Sequence, residues 1–379
     1  MNKPTAFFSH QIDKLASKLR ENLYQKGRFS RKIIVIPSML QKEYLLYFFA
    51  DTCEIFAGAK WAFLDQALDL LLSITSRSSY RAPSVELLTL HIEQEMQQAI
   101  SENDSAFTSL QEYLASSNKA KLHNLATYMA SLFLLYGTLP KHILQKWVVK
   151  NGWKQRLFKR LEEHWDFRNC FFASHTCSLL FPIEIHFFHT SFLPPLFVDF
   201  FQSLSPQLTC YFYLFAPTFF YWGDLYSDSK RAFLSRLYTR KEVQNNQIYQ
   251  LDQYVQDRNP LVANYAKLGQ SLINYALEEA WSIEEDFIEE KGSSLLSLLQ
   301  RDLLHLKNPQ KERVEIVSDR DTSIQLHKAS SKLQEVEILY RHLAIAISQD
   351  SSLEGSDIIV FATSLSDNVI SFKERLYSI

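Results

Sequence analysis

Residues 5–23 read TAFFSHQIDKLASKLRENL, and the fold is decided there. Ala6-Phe7-Phe8 is a short apolar strand, and Ser9-His10-Gln11 breaks it. Ile12, Leu15, Ala16, Leu19 and Leu23 then recur at the spacing of one buried helix face. A strand, loop and helix at the start of an α/β chain is where a nucleotide-binding fold keeps its phosphate loop. Such a loop needs G-x-x-x-x-G-K-[ST], with glycines so that backbone N–H groups can wrap the phosphates. Aligned on Lys14, the chain offers Phe8 and Asp13 at the glycine positions and Leu15 at the hydroxyl position. Only the lysine remains. Phe8 and Asp13 carry Cβ atoms where bare backbone is needed, and Asp13 would repel phosphate. The other reading of this stretch is an ordinary β-loop-α start with no nucleotide.

The 379 residues exceed one typical core, so two or three domains are expected. Only 8 glycines are present, and none is followed by Lys-Ser or Lys-Thr, so no conventional ATPase loop exists anywhere. A net charge of −2 excludes no partner class, because charges of one sign are segregated along the chain. The start reads as a polar lead into the first strand, not a signal peptide, and apolar runs such as Tyr211 to Pro217 are too short to span a bilayer. Cys53, Cys170, Cys177 and Cys210 form no C-x-x-C and are expected to be reduced and cytosolic. His164, Cys170, His175 and Cys177 crowd together, but at a spacing that fits no common zinc finger.

Outward from the first helix, Ile33 to Ile36 is a β-branched strand ended by Pro37-Ser38. Ser38 is placed to cap a helix over Met39 to Asp51, with Gln41 as its capping-box partner. Gly58 to Leu64 reads as a third strand and Asp65 to Leu72 as a helix. This alternation predicts a parallel sheet, whose ligands meet the loops at the strands' C-terminal ends, here Ser9-His10-Gln11 and Pro37-Ser38-Met39. Residues 84–174 read as helices throughout: Ser84 to Ser101, Ser105 to Ser116, Lys119 to Tyr136, Lys141 to Lys150 and Trp153 to Trp165. They look like an insertion in an α/β domain of residues 1–83 and 175–310. Strands return at Ile183 to Phe188 and Leu208 to Phe215. The first ends in Phe187-Phe188-His189-Thr190, where an active helicase-type ATPase places the Asp-Glu pair that holds Mg²⁺ and water. From residue 315 a second α/β unit is expected, with strands at Ser323 to His327 and Asp357 to Phe361 around a helix at Lys332 to Ser348. So little of its sheet is built that the chain reads as a fragment.

Charge is lopsided. Tyr113 to Leu161 contains no Asp or Glu but nine basic residues, among them Lys141, Lys146, Lys150, Lys154 and Arg156. Trp147 and Trp153 lie between them. Basic residues interleaved with aromatics suit a nucleic-acid backbone with stacked bases; the alternative is a solvated basic face with the tryptophans in the core. Glu278 to Glu290 carries seven acids and no base. Such a run reads as a solvated or disordered face, or as a surface for a basic partner.

Several pieces match one family in order. They are Ser9 with Ile12-Asp13-x-Leu15, Val35-Ile36-x-Ser38 with Tyr44-Leu45, and Ala130-x-Leu132-Phe133-x-x-Tyr136 with Leu144 and Trp147. Leu193-Pro194-Pro195, Tyr221-Trp222-Gly223-Asp224 and Asn259-Pro260-Leu261…Lys267-Leu268-Gly269 follow. Glu335-Val336-Glu337-x-Leu339 and Asp357-Ile358-Ile359-Val360 close the series. The chain resembles the N-terminal third of the RecC family, the gamma subunits of exodeoxyribonuclease V (the RecBCD helicase–nuclease). The resemblance implies an inactive superfamily-1 helicase-like domain with a RecA-like parallel sheet, an inserted all-helical domain and the start of a second α/β domain at residues 315–379. It implies a non-catalytic subunit for double-strand-break repair and recombination that guides single-stranded DNA and scans for the Chi hotspot. Its partners would be duplex-end or single-stranded DNA and RecB-like and RecD-like subunits, in the bacterial cytoplasm near the nucleoid. No cofactor is expected in this chain; ATP and Mg²⁺ would be bound by those partners.

In the family, polar side chains after the second strand and on the insertion helix face the DNA strand. The matching positions here are Pro37, Met39 and Glu43, then Ser131, Leu134, Leu135 and Pro140. Ser38, Gln41, Lys42 and Tyr44 complete the first group, and the lysines above complete the second. Most of the matching positions are apolar, and a methionine or leucine cannot form the directional hydrogen bonds that read a base edge. The resemblance therefore carries strand passage better than hotspot specificity. An active nucleotide hydrolase is disfavoured by the two missing motifs. An adaptor that holds partner subunits without touching DNA is the competing reading.

Overall fold

The computed structural model describes residues 3–25, 31–52, 56–74, 84–102, 104–114, 119–137, 139, 141–150, 152–165, 167, 179, 182–194, 197–198, 200–201, 204, 207–245, 258–289, 291–308, 318 and 320–362. The chain divides into two compact units, residues 1–289 with 301–311, and residues 290–300 with 312–379.

The first unit is organised on a six-stranded sheet whose neighbouring strands all run parallel, in the order β3-β2-β4-β5-β1-β6. The strands are β1 (Thr5–Ser9), β2 (Arg31–Val35), β3 (Ala59–Ala62), β4 (Ile183–Phe188), β5 (Leu208–Phe215) and β6 (Ser282–Glu285). Side chains alternate between the faces, as a pleat requires. Phe7, Ile34, Phe188, Tyr211 and Tyr213 point to one face. There they pack with α1 (Ile12–Gln25) and α2 (Met39–Thr52). Phe8, Ile33, Val35, Ile185, Phe187, Phe212 and Leu214 point to the other, against α3 (Leu64–Ser73) and residues 197–204. Both faces are covered, which is why these strands are apolar without a polar side.

Among the described residues, five α-helices lie between α3 and β4: α4 (Val85–Ser101), α5 (Thr108–Leu114), α6 (Lys119–Tyr136), α7 (Lys141–Val148) and α8 (Trp153–Glu162). They close over a core of their own, built from residues such as Leu88, Met96, Met129, Phe133, Phe158 and Leu161. Ser84 begins α4 by accepting the Leu87 N–H.

After β5 come α9 (Asp228–Asn245), α10 (Pro260–Tyr265) and α11 (Lys267–Glu278). Asn259 caps α10, its Oδ1 accepting from Leu261 and Val262 while its Nδ2 donates to the Lys307 carbonyl at 3.1 Å. The YWGD turn is fastened to α11. Gln270 donates to the Trp222 and Leu225 carbonyls, Asn274 to the Gly223 carbonyl, and Tyr221 to Asn274 Oδ1 at 2.6 Å. A Cβ on Gly269 would stand 2.4 Å from the Trp222 ring, so the helix passes the indole only as glycine.

The sixth strand corrects the sequence reading of the acidic run. Ser282–Glu285 pairs with β1, with the Ser282 N–H on the Pro4 carbonyl and the Asp286 N–H on the Phe8 carbonyl. It is an edge strand with Glu284 and Glu285 exposed, and charge on an edge discourages further pairing.

In the second unit, α13 (Lys332–Gln349) begins at Ser331, whose Oγ accepts from Gln334, and follows the start of α12 (Leu295–Leu304). The two strands expected at Ser323 to His327 and Asp357 to Phe361 are not strands. Asp321 and Ser323 instead accept the Leu295 and Leu296 N–H groups and so cap α12. Residues 355–357 form a single 3₁₀ turn closed by a capping box at Glu354. A β-prone run becomes a strand only beside another strand, and neither run has one among the described residues.

Candidate functional site

In a parallel sheet the ligand crevice opens where neighbouring strands send their connections to opposite faces. That occurs between β1 and β5. The connection from β1 is α1, on the Phe7 face; that from β5 leads through α10 to α11, whose Leu272 and Ala276 lie on the Phe8 face.

At this point β1 ends at Ser9 and α1 starts at Ile12, so His10 and Gln11 alone connect them. Two residues cannot wrap a phosphate. Ser9 Oγ accepts the Gln11 N–H, and the Ser9 carbonyl takes the Ala216 N–H at 3.0 Å. His10 lies flat on Phe287. The lysine that survives from the phosphate-loop pattern, Lys14, faces Asp286 at 3.7 Å, and Lys18 meets Glu284 at 2.9 Å. The hydrogen bond to Glu284 raises the Lys18 pKa. Asp13, in the first turn of α1, accepts from the Tyr44 hydroxyl at 2.5 Å. Burial first, and that carboxylate second, push the Tyr44 phenol upward. The positive end of α1 thus already holds a carboxylate.

β4 ends in Phe188 and His189. His189 has φ 53, an uncommon left-handed backbone for a residue with a Cβ, and its N–H donates to the Tyr213 carbonyl at 2.8 Å. Burial lowers its pKa. Thr190 follows, buried, and no carboxylate stands in this turn.

Of the candidate DNA contacts after β2, Ser38 Oγ donates to Gln41 Oε1. Met39 and Glu43 are exposed and Lys42 is half-buried, while Tyr44 turns inward to stack on Phe188. α2 carries apolar side chains on its solvent side as well as its buried one: Leu45 and Phe49 are buried, and Leu40 and Tyr47 are exposed at 73% and 76%. In the helical block, Leu134 packs on the core and Leu135 is exposed. Ser131 bonds back to the Thr127 carbonyl. Pro140 lies outside the described residues, and Lys141 opens α7. The two groups of candidates therefore stand on separate hydrophobic cores.

The basic stretch divides by residue type. Its arginines are paired: Arg156 with Asp104 at 2.7 Å, and Arg160 with Glu102 at 3.0 Å and Glu95 at 3.6 Å. The Ala106 N–H, then Arg156, hold the Asp104 carboxyl below its usual range; Gln98, then Arg160, do the same for Glu102. Lys146, Lys150 and Lys154 are exposed, with no acidic partner among the described residues. Trp147 and Trp153 pack against the core. The acids that meet these arginines precede the stretch in sequence, which is why the sequence alone left it looking uniformly basic.

For metal binding, Cys170, His175 and Cys177 fall outside the described residues. His91, Glu95 and His164 do bring ligand atoms within 4.8 Å of one another. His91 Nδ1 accepts the Trp165 indole N–H at 2.9 Å, so in the neutral ring the proton sits on the nitrogen that faces Glu95. That nitrogen has no lone pair for a cation.

The family described as "RecC, N-terminal domain" matches residues 5–306. The RecBCD enzyme subunit RecC of Escherichia coli is 25% identical, with 95% of this chain and 37% of the relative covered. The RecBCD enzyme subunit RecC of Haemophilus influenzae is 26% identical over 48% of this chain and 18% of its own length. The chain spans well under half the length of these curated relatives.

Proposed function

The chain belongs to the RecC family, and from that premise we propose that it serves as a non-catalytic part of a RecBCD-type helicase–nuclease in recombination and repair. In this reading the sheet is helicase-like and has lost its ATP site, the five helices are its insertion, and the assembly's ATP and Mg²⁺ are bound by RecB-like and RecD-like subunits. The observation that carries it is the end of β1. A two-residue connection, Asp13 at the head of α1 and Lys14 turned to Asp286 leave no phosphate site where the fold would keep one.

The ligand is single-stranded DNA, held by Lys146, Lys150 and Lys154 and by the Ser38 to Tyr44 region. Arg156 contributes little while Asp104 holds it. Met39 and Leu135 are exposed and apolar, so the strand passes with little sequence preference, and hotspot scanning needs polar groups supplied elsewhere. Fluorescence anisotropy of a labelled oligonucleotide over a salt series tests this. With about four phosphates neutralised, log K falls with log[salt] at a slope near about −3. Lys150→Ala with Lys154→Ala weakens every oligonucleotide alike and flattens the slope by about one unit. No binding at low salt, or binding untouched by the double substitution, moves the reading to the adaptor, which the exposed Leu40 and Tyr47 of α2 favour.

A further inference from the structure

A cavity of 390 Å³ lies at the β1–β5 crevice, on the Phe8 face. Its floor is Phe8, Leu214 and Thr190; its walls include Trp222, Leu268 and Leu272. The two motifs that fasten the YWGD turn to α11 also build this cavity. No acidic or basic side chain lines it. The charges nearest the turn are acidic: Asp224 and Glu278 both act on Tyr221 and raise its pKa, after the larger effect of burial. A polyanion finds no charged side chain in the lining to neutralise it, and the exposed Lys267, between the lining residues Ala266 and Leu268, is a single cation outside it. The rim is apolar and exposed, with Phe215, Leu261, Tyr265 and Leu268 between 41% and 82% accessible.

The floor carries one polar feature. Thr190 is 8% exposed, lines the cavity, and its Oγ1 has no hydrogen-bond partner among the described residues. A buried hydroxyl left unpaired is costly, and a native fold keeps one where something else completes it. The left-handed turn at His189 holds this threonine in place, a local strain of the kind found at binding sites. The volume is at the small end of ligand pockets and has room for an aromatic side chain.

We propose that this cavity receives a tryptophan or tyrosine side chain of a partner polypeptide, its ring against Trp222 and Leu272 and its N–H or O–H on Thr190 Oγ1. An aromatic anchor with one polar tip in an uncharged pocket, ringed by exposed apolar residues, is the usual centre of a protein interface. The inference does not depend on the DNA reading and survives its failure.

The test titrates the full isotope-labelled chain with N-acetyl-tryptophanamide, N-acetyl-leucinamide and adenosine, following the methyl resonances of Leu214, Leu272 and Ile273. The tryptophan analogue shifts them saturably and adenosine does not. Thr190→Val, which keeps the shape and removes an unpaired hydroxyl, weakens the tryptophan analogue about three- to tenfold and leaves the leucine analogue unchanged. Ala266→Phe fills the cavity from its wall and abolishes both. Adenosine binding as tightly as the tryptophan analogue would make this a nucleobase pocket and overturn the proposal. So would the absence of any shift, or a Thr190→Val chain that binds the tryptophan analogue as wild type does.

Discussion

The strand ends of the sheet and the helical block treat charge in opposite ways. At the strand ends the charges at the start of α1 have partners: Lys14 with Asp286, Lys18 with Glu284, Asp13 with Tyr44. The cavity on the Phe8 face beside them is lined mostly by apolar side chains. In the helical block the arginines are paired, but Lys146, Lys150 and Lys154 stand in solvent. A site made for a nucleotide concentrates unneutralised positive charge at the strand ends. This chain keeps such charge on the helices and fills the strand ends with aromatic side chains. In the proposed function the difference separates a surface for a DNA backbone from a crevice without a phosphate site.

The comparison can be broken most forcefully at the crevice wall. Gly269→Ala drives a methyl into the Trp222 ring, and overpacking of this kind costs about 1–3 kcal/mol. Chemical denaturation should show that loss, while oligonucleotide affinity, which the proposed function assigns largely to the helical block, stays unchanged. If affinity fell with it, the two regions would not be independent.

A smaller effect is expected in the block itself. Arg160→Met removes the cation shared by Glu95 and Glu102. The melting temperature should fall by about 2–4 °C. DNA binding should be preserved, because the proposed function places it on the lysines and not on this arginine. A Tm equal to wild type would mean that the pairing is only a surface contact.

The smallest effect concerns pH. His189 is held neutral by burial, so its folded pKa lies below its unfolded value of about 6.5. Its contribution to stability is complete above that value and is lost as pH falls through the folded pKa, because the unfolded chain binds the extra proton. Between about pH 7.5 and about pH 5.5 the wild-type Tm should drop further than that of His189→Asn, which tolerates the same left-handed backbone and does not titrate. Parallel pH profiles would contradict this.

Much of the sheet was legible because its strands are buried on both faces. Ile183 to Phe188 and Leu208 to Phe215 fall where their apolar runs place them, and α6 spans Lys119–Tyr136 as its period requires. β6 was hidden because an edge strand needs no apolar alternation: Ser282–Glu285 joins the sheet through its backbone, while Glu284 answers Lys18 and Asp286, just past the strand, faces Lys14. The runs at 323–327 and 357–361 misled for the converse reason, since β-propensity without a neighbour makes no ladder. At the site, the loss of the glycines could be read directly. The destination of Lys14 could not, because Asp286 is distant in sequence and local pattern does not report a tertiary ion pair. The arginines' acids were hidden in the same way, and the cavity's lining comes from separate segments that meet only in the fold.

The central proposal is that the β1–β5 crevice does not bind a nucleotide. The most direct test is equilibrium titration of the full chain with a fluorescent ATP analogue and Mg²⁺. The account predicts no saturable binding, whether or not DNA is present. Saturable binding at micromolar affinity, abolished by Lys14→Ala, would contradict it.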